Sequence, residues 1–316
     1  MNKPLERSEL RHLQAFFFLF GLGIMCLAPR LPDIKANLDV STSYFGFLMS
    51  TGSIGALSAQ LVMGHIVHRL GVYRVLIYSS TLTYLTLGIL IELKSAPIYL
   101  IVNVLCGFAW ASYHIAINAQ ALHRQHESGK QIIPMLHGLW SAGAVTTAFI
   151  ALLISSFVSL NWHILTLISL VYLLTLRSIK ASKAYLLQGH EVTEDDEVIT
   201  FKKMITSFQI DWVVSLGFLC ALLLEVSIGD WATIMARQEF GVSKSVAVTP
   251  YFLFMGAMII GRLTYSRIKG NRSDKELVQP FVVMGGTIFL TCLALSMQIK
   301  ESNLVLGYTI FCLGFL

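Results

Sequence analysis

Ten apolar runs, most of them near 20 residues long, follow one another along the chain with only short polar gaps between them. A bilayer core of ~30 Å is crossed by about 20 helical residues, so most of these runs have the length of one crossing. Backbone polar groups find no water inside a bilayer, and a helix satisfies all of them within its own segment. The runs lie near 13–29, 44–67, 72–93, 98–121, 134–158, 162–176, 212–235, 246–264, 277–297 and 304–316. Composition excludes the soluble alternative. Only 13% of the 316 residues are charged and 55% are hydrophobic, about half the charge of soluble domains. The predicted fold class is therefore an all-α polytopic membrane helix bundle.

The first run is too long for a signal-peptide core and has no small-residue cleavage site, so it reads as a span. Placing the N-terminus in the cytoplasm puts 17 of the 23 Lys and Arg residues in inner segments. The opposite orientation inverts that bias, so the N-terminus is expected inside. The net charge of +5 follows from these loop residues, and no nucleic-acid partner is expected.

The longest polar gap, residues 177–203, carries Glu191, Glu194, Asp195, Asp196 and Glu197. It follows six runs and divides the chain into an N-terminal six-helix bundle (1–176), a cytoplasmic linker (177–210) and a second helix bundle (211–316). The last run holds 13 residues with no basic anchor after it, so the sequence reads as cut off.

Enzyme chemistry finds no support. The five cysteines, Cys26, Cys106, Cys220, Cys292 and Cys312, lie inside apolar runs without a CxxC pair. The pairs His65/His68 and His123/His126 have i,i+3 spacing but no cysteine to complete a metal site. G-x-S-x-G, HExxH and GxxxxGK[ST] are all absent. No cofactor and no metal is expected, and any uphill work must draw on an ion or solute gradient.

One loop carries a motif. Between the second and third runs stands Gly64-His65-Ile66-Val67-His68-Arg69-Leu70-Gly71-Val72-Tyr73-Arg74, and a degraded copy, Gly261-Arg262-Leu263 through Ser266-Arg267, stands between the eighth and ninth. The motif, its loop and its repeat resemble those of the major facilitator superfamily, with His68 where that family has Asp. Further stretches resemble its bacterial YbjJ-type branch, distantly related to fucose permeases. They are Ala28-Pro29-Arg30-Leu31-Pro32-Asp33-Ile34-Lys35, Asn118-Ala119-Gln120, Met135 through Gly143, and Glu225 followed by Gly229-Asp230-Trp231.

The resemblance implies a fold of 6 + 6 helices, of which 6 + 4 fall in this sequence. It implies a monomeric secondary transporter of the bacterial inner membrane. A small solute would bind between two pseudo-equivalent bundles that rock about it. In the motif, Gly64 would permit close helix packing, Gly71 would make the turn, and Arg69 and Arg74 would hold the cytoplasmic gate by charge pairing. The rival reading is a non-transporting membrane protein, either a sensor or a truncated remnant.

Ionisable groups inside spanning helices are costly and commonly mark a pathway. Glu225 lies near the middle of the seventh run and is the preferred proton-coupling acid; a carboxylate paired across helices is the alternative. Asp230, nearer the outer face, is either a substrate or gating group or an interfacial acid. Arg30 either binds an anionic solute, pairs with Asp33, or snorkels. His114 and His137 either relay protons or pack through hydrogen bonds. Asn118 shares a face of the fourth run with Asn103, lining a cavity or bonding other helices. Gln120 lies on the same run, and Trp110 and Tyr113 add aromatic contacts or core packing.

Overall fold

The computed structural model describes residues 6–189, 211–270 and 273–316, and among them all regular structure is helical. The helices are α1 (Arg7–Ile24), α2 (Leu31–Leu38), α3 (Thr42–Ser50), α4 (Gly52–Leu90), α5 (Ala96–Ser128) and α6 (Ile133–Ile154). After them come α7 (Leu160–Ala181), α8 (Trp212–Phe240), α9 (Thr249–Lys269), α10 (Asp274–Ile299) and α11 (Leu304–Leu313). Each of the ten apolar runs is helical. The acidic stretch 191–197 and the rest of the expected linker after residue 189 lie outside the described residues.

Six stretches are long and apolar enough to cross a membrane among the described residues: Arg7–Leu38, Thr42–Leu90, Ala96–Ser128, Ile133–Ile154, Leu160–Ala181 and Pro280–Ile299. The second is two crossings in one. It is broken at Gly71, whose φ of 77° and ψ of 159° no helix contains. Only glycine adopts that conformation at no steric cost.

Helix ends differ from the hydrophobic limits. The first crossing starts at Arg7 and continues past residue 29 to Leu38, through a short turn at Ala28–Arg30. Pro29 and Pro32 lack the N–H that would carry the ladder on, so the helix is interrupted rather than ended. The fourth crossing extends to Ser128, seven residues beyond its apolar run, and Gly129 closes it in the left-handed region. Helices overrun their apolar segments here because polar ends reach past the hydrocarbon.

Glycine sets two close helix contacts. A Cβ on Gly21 of α1 would overlap the Trp140 backbone of α6, and one on Gly143 of α6 would overlap the Phe18 carbonyl of α1. Gly55 of α4 meets the backbone of Val104 in α5, and Gly107 of α5 meets that of Gly52 in α4. Small residues that let backbones touch are the usual adhesive where lipid removes the hydrophobic drive.

Large apolar side chains point outward along the bundle, among them Phe157, Leu173 and Val283 at 82%, 63% and 69% exposure. Such a surface suits hydrocarbon rather than water. Inside, two clusters fill the first bundle and one fills the second. A fourth joins them: Tyr251 and Met255 of α9 sit against Ala28 and against Ala144, Ala148 and Ala151 of α6.

Candidate functional site

The turn at residues 28–30 carries Arg30 inward until it is fully buried. Its Nε lies 2.8 Å from Oδ2 of Asp33, one helical turn on. Both terminal nitrogens donate to the Val158 carbonyl at 3.2 Å, and Nη1 lies 3.5 Å from Nδ1 of His163. An arginine in this position is neither snorkelling nor free for a solute. A buried cation persists only when its donors are satisfied, and here a carboxylate, a carbonyl and an imidazole share them.

Asp33 also reaches the other half. Its Oδ1 lies 2.5 Å from Nζ of Lys244, in the loop between α8 and α9. Two further polar contacts join the halves at this end. Thr42 and Gln238 lie within 3.3 Å, and Ser156 and Ser245 exchange backbone-to-hydroxyl bonds of 3.0 and 3.2 Å. The indole of Trp231 presses on Gly46. The alanine stripe of α6 lies against Tyr251 and Met255. At Gly138 of α6 and Gly261 of α9, nearer the opposite end, a Cβ would meet nothing within 4 Å among the described residues. Close packing of these two helices is thus concentrated at the Arg30 end.

The carboxylates predicted from sequence lie in α8. Asp230 is half-buried and makes no hydrogen bond or ion pair among the described residues. It lies within electrostatic reach of Tyr99 in α5 and of Tyr251 in α9. Tyr251 is fully buried, also lies within reach of Glu225, and its hydroxyl has no hydrogen-bond partner among the described residues. Glu225, one and a half turns earlier, is half-buried.

His114 and His137 come together. Their rings meet edge-on at 6.1 Å, with Phe20 stacked on His114 at 5.7 Å and Phe17 edge-on to His137 at 5.3 Å. Asn118 and Asn103 part ways. Asn118 donates to the His114 carbonyl of its own helix at 2.8 Å. Asn103 donates to Leu48 and Met49 carbonyls at 3.0 Å, satisfying the end of α3.

Two contacts expected of the loop motif are not made among the described residues. A Cβ on Gly64 would meet nothing within 4 Å, so the close packing expected there is not made among the described residues. The backbone contacts of α4 with α5 fall instead on Gly52 and Gly55, more than two turns earlier. Arg69 and Arg74 are exposed and make no ion pair among the described residues. The loop offers them no carboxylate, because His68 occupies the acidic position.

Gly71 makes its turn, and residues 183–189 lie across it. Val72 N–H donates to the Leu187 carbonyl at 2.9 Å. Gln120 of α5 grips the same segment, donating to the Tyr185 carbonyl at 3.0 Å and accepting from Leu187 N–H at 2.8 Å. Lys183 stands over the Tyr73 ring at 5.2 Å. Nearby, Arg124 is buried between Glu9 of α1 and Glu127, with a 2.8 Å bond to Glu9. Sequence reading missed Glu9, Arg124, His163 and the Lys244 contact. The signal available was polarity at helix ends, which looks the same for a solvated residue and a buried pair.

The Major Facilitator Superfamily model matches residues 15–316. An uncharacterized MFS-type transporter of Yersinia pestis is 28% identical over 274 residues, covering 86% of this chain and 67% of that protein. An uncharacterized transporter of Sinorhizobium fredii is 24% identical, covering 80% of this chain and 66% of its own length. Membrane protein MosC of Rhizobium meliloti is 24% identical, covering 88% of this chain and 66% of its own length. The chain thus spans about two thirds of the length of the curated relatives it matches. The nucleoside transporter NupG superposes with a TM-score of 0.64 at 15% identity, over 98% of this chain and 80% of NupG. Such identity shows the fold alone. On its helical architecture and on a family match that covers nearly all of it, the chain belongs to the Major Facilitator Superfamily, a family of membrane transporters rather than enzymes.

Proposed function

We propose that this protein is a monomeric secondary active transporter that moves a small solute across a bacterial inner membrane by alternating access, coupled to protons. The observation that carries the reading is Asp230, a carboxylate between the halves without a bonding partner among the described residues. A carboxylate removed from water and left unpaired is costly. Such a group is retained where a proton or a solute supplies what the protein does not. Glu225, near the middle of the same helix, is the coupling acid of this reading. The His114–His137 pair and Asn118 line the approach from the first bundle.

The charge bias of the loops supports a cytoplasmic N-terminus, which puts the pinned Arg30 end outside. The molecule then represents a state closed outward. Rocking would part Asp33 from Lys244 while Arg30 stays with Asp33. The residues at 28–35, 135–143 and 225–231 favour the YbjJ-type branch.

The test is transport by the purified protein in proteoliposomes, against a panel of sugars, organic acids, nucleosides and hydrophobic cations. Wild type should accumulate one of them when an acid-outside gradient is imposed. Glu225→Gln keeps the shape but releases no proton, so it should exchange labelled solute and fail to concentrate it. Full pH-driven accumulation by Glu225→Gln would remove that residue from coupling and move the proton to Asp230 or His114.

A further inference from the structure

We propose that the cleft between α1 and α7 is a binding site for an anionic phospholipid, with the headgroup phosphate on Arg177 and His12. The cleft has a volume of about 340 Å³ and opens to the outside of the bundle. Ala15 and Phe18 of α1 and Leu174 of α7 form its apolar walls, while His12, Arg177 and Ser178 stand at one end.

The two helices run antiparallel, so the start of α1 and the last turn of α7 meet at the same membrane face. That places a guanidinium, an imidazole and a hydroxyl at headgroup depth, directly below a slot of acyl-chain character. On α7, Leu170, Leu174 and Arg177 follow at helical spacing, and both leucines are exposed at 55% and 42%. An acyl chain laid along that stripe would cover them, and its phosphate would reach Arg177.

Among the described residues no carboxylate pairs with the charge at this end. Arg177 is exposed and makes no ion pair among the described residues. The acid of α1, Glu9, is bound to Arg124, and Glu6, just before α1, makes no ion pair among the described residues. Lys180, exposed in the last turn of α7, and Arg11, exposed on α1, add further positive charge. Basic clefts between helices at a membrane face select anionic headgroups. A guanidinium pairs with phosphate oxygens through two parallel donors, and in an anionic lipid no headgroup ammonium offsets the phosphate charge that the basic cleft attracts.

The experiment is native mass spectrometry of the full chain released from nanodiscs of 1:1 phosphatidylglycerol and phosphatidylcholine. Wild type should retain phosphatidylglycerol in preference. Arg177→Gln should lower that preference about fivefold, and Arg177→Gln with His12→Gln should abolish it. Arg177→Lys, which keeps the charge but not the fork, should keep part of it. Equal retention of both lipids by wild type, or unchanged preference in the double variant, would overturn the site. Displacement of the lipid by millimolar inorganic phosphate would show a free-anion site and would also overturn it.

Discussion

Oδ1 of Asp33 lies 2.5 Å from the Lys244 ammonium while Oδ2 of the same carboxylate lies 2.8 Å from Nε of Arg30. One carboxylate thus serves two purposes. It neutralises a buried cation within the first bundle and ties that bundle to the second.

The two roles separate by mutation. Arg30 is fully buried, so Asp33→Asn strips a buried charge of its partner and should cost about 3–5 kcal/mol of stability. Lys244 is 46% exposed, so Lys244→Gln should cost no more than about 1 kcal/mol. Thermal unfolding in detergent should show a large drop for the first and a small one for the second. Equal drops would mean that Asp33 is not the anchor of Arg30.

Gly71 and Gly64 should respond unequally to alanine. Gly71 has a φ of 77°, and a Cβ there would lie 2.9 Å from the Leu187 carbonyl oxygen and 2.6 Å from the Gly189 nitrogen. Backbone strain alone is of order 1–3 kcal/mol. A Cβ on Gly64 would meet nothing within 4 Å among the described residues, and alanine is the better helix former by roughly 1 kcal/mol. Gly71→Ala should therefore melt earlier than wild type and Gly64→Ala no earlier. Matching melting curves for the two would remove residues 183–189 from the loop.

Glu9 and Arg124 are both 4% exposed and bind each other directly. Glu9→Gln leaves Arg124 with the half-exposed Glu127, and should destabilise by about 3–5 kcal/mol. Replacing both by Met should recover most of that loss, because the desolvation of two charges disappears with them. Failure of the double variant to recover would show that α1 and α5 need this pair for more than charge balance.

Orientation is open to direct labelling. Phe157, 82% exposed at the pinned end, should be labelled as cysteine by an impermeant reagent on intact cells. A cysteine at Thr193 should be labelled only after permeabilisation. The reverse result would invert the topology.

Much of the bundle was legible because lipid imposes one rule, about 20 apolar residues per crossing, and most of the ten runs obey it. Gly71 was legible as a turn because a glycine between basic residues in a short loop has few other uses. Arg30 was harder. Pairing with Asp33 was one of three readings, and its burial depends on the turn that Pro29 and Pro32 impose. The Lys244 contact was not legible, since it joins residues 211 positions apart through the packing of two bundles. At Gly64 the sequence could not name a partner, because a small residue fixes what a helix can approach, not what approaches it. The spacing of Asn118 and Asn103 gave a shared face but not their partners: the Asn118 amide donates to its own helix, and that of Asn103 to the end of α3.

The central claim is that the two bundles rock about a solute, with the Arg30 end shut in the state described. Distances between spin labels test it most directly. In a cysteine-free background in nanodiscs, labels at Phe157 and Glu301 report on the pinned end, and labels at Lys130 and Ile268 report on the opposite end. Wild type should give a short distance for the first pair. Lys244→Gln should add a longer population at that pair and a shorter one at the second, in step with each other. Unchanged distributions at both pairs, or movement in the same direction at both, would contradict the account.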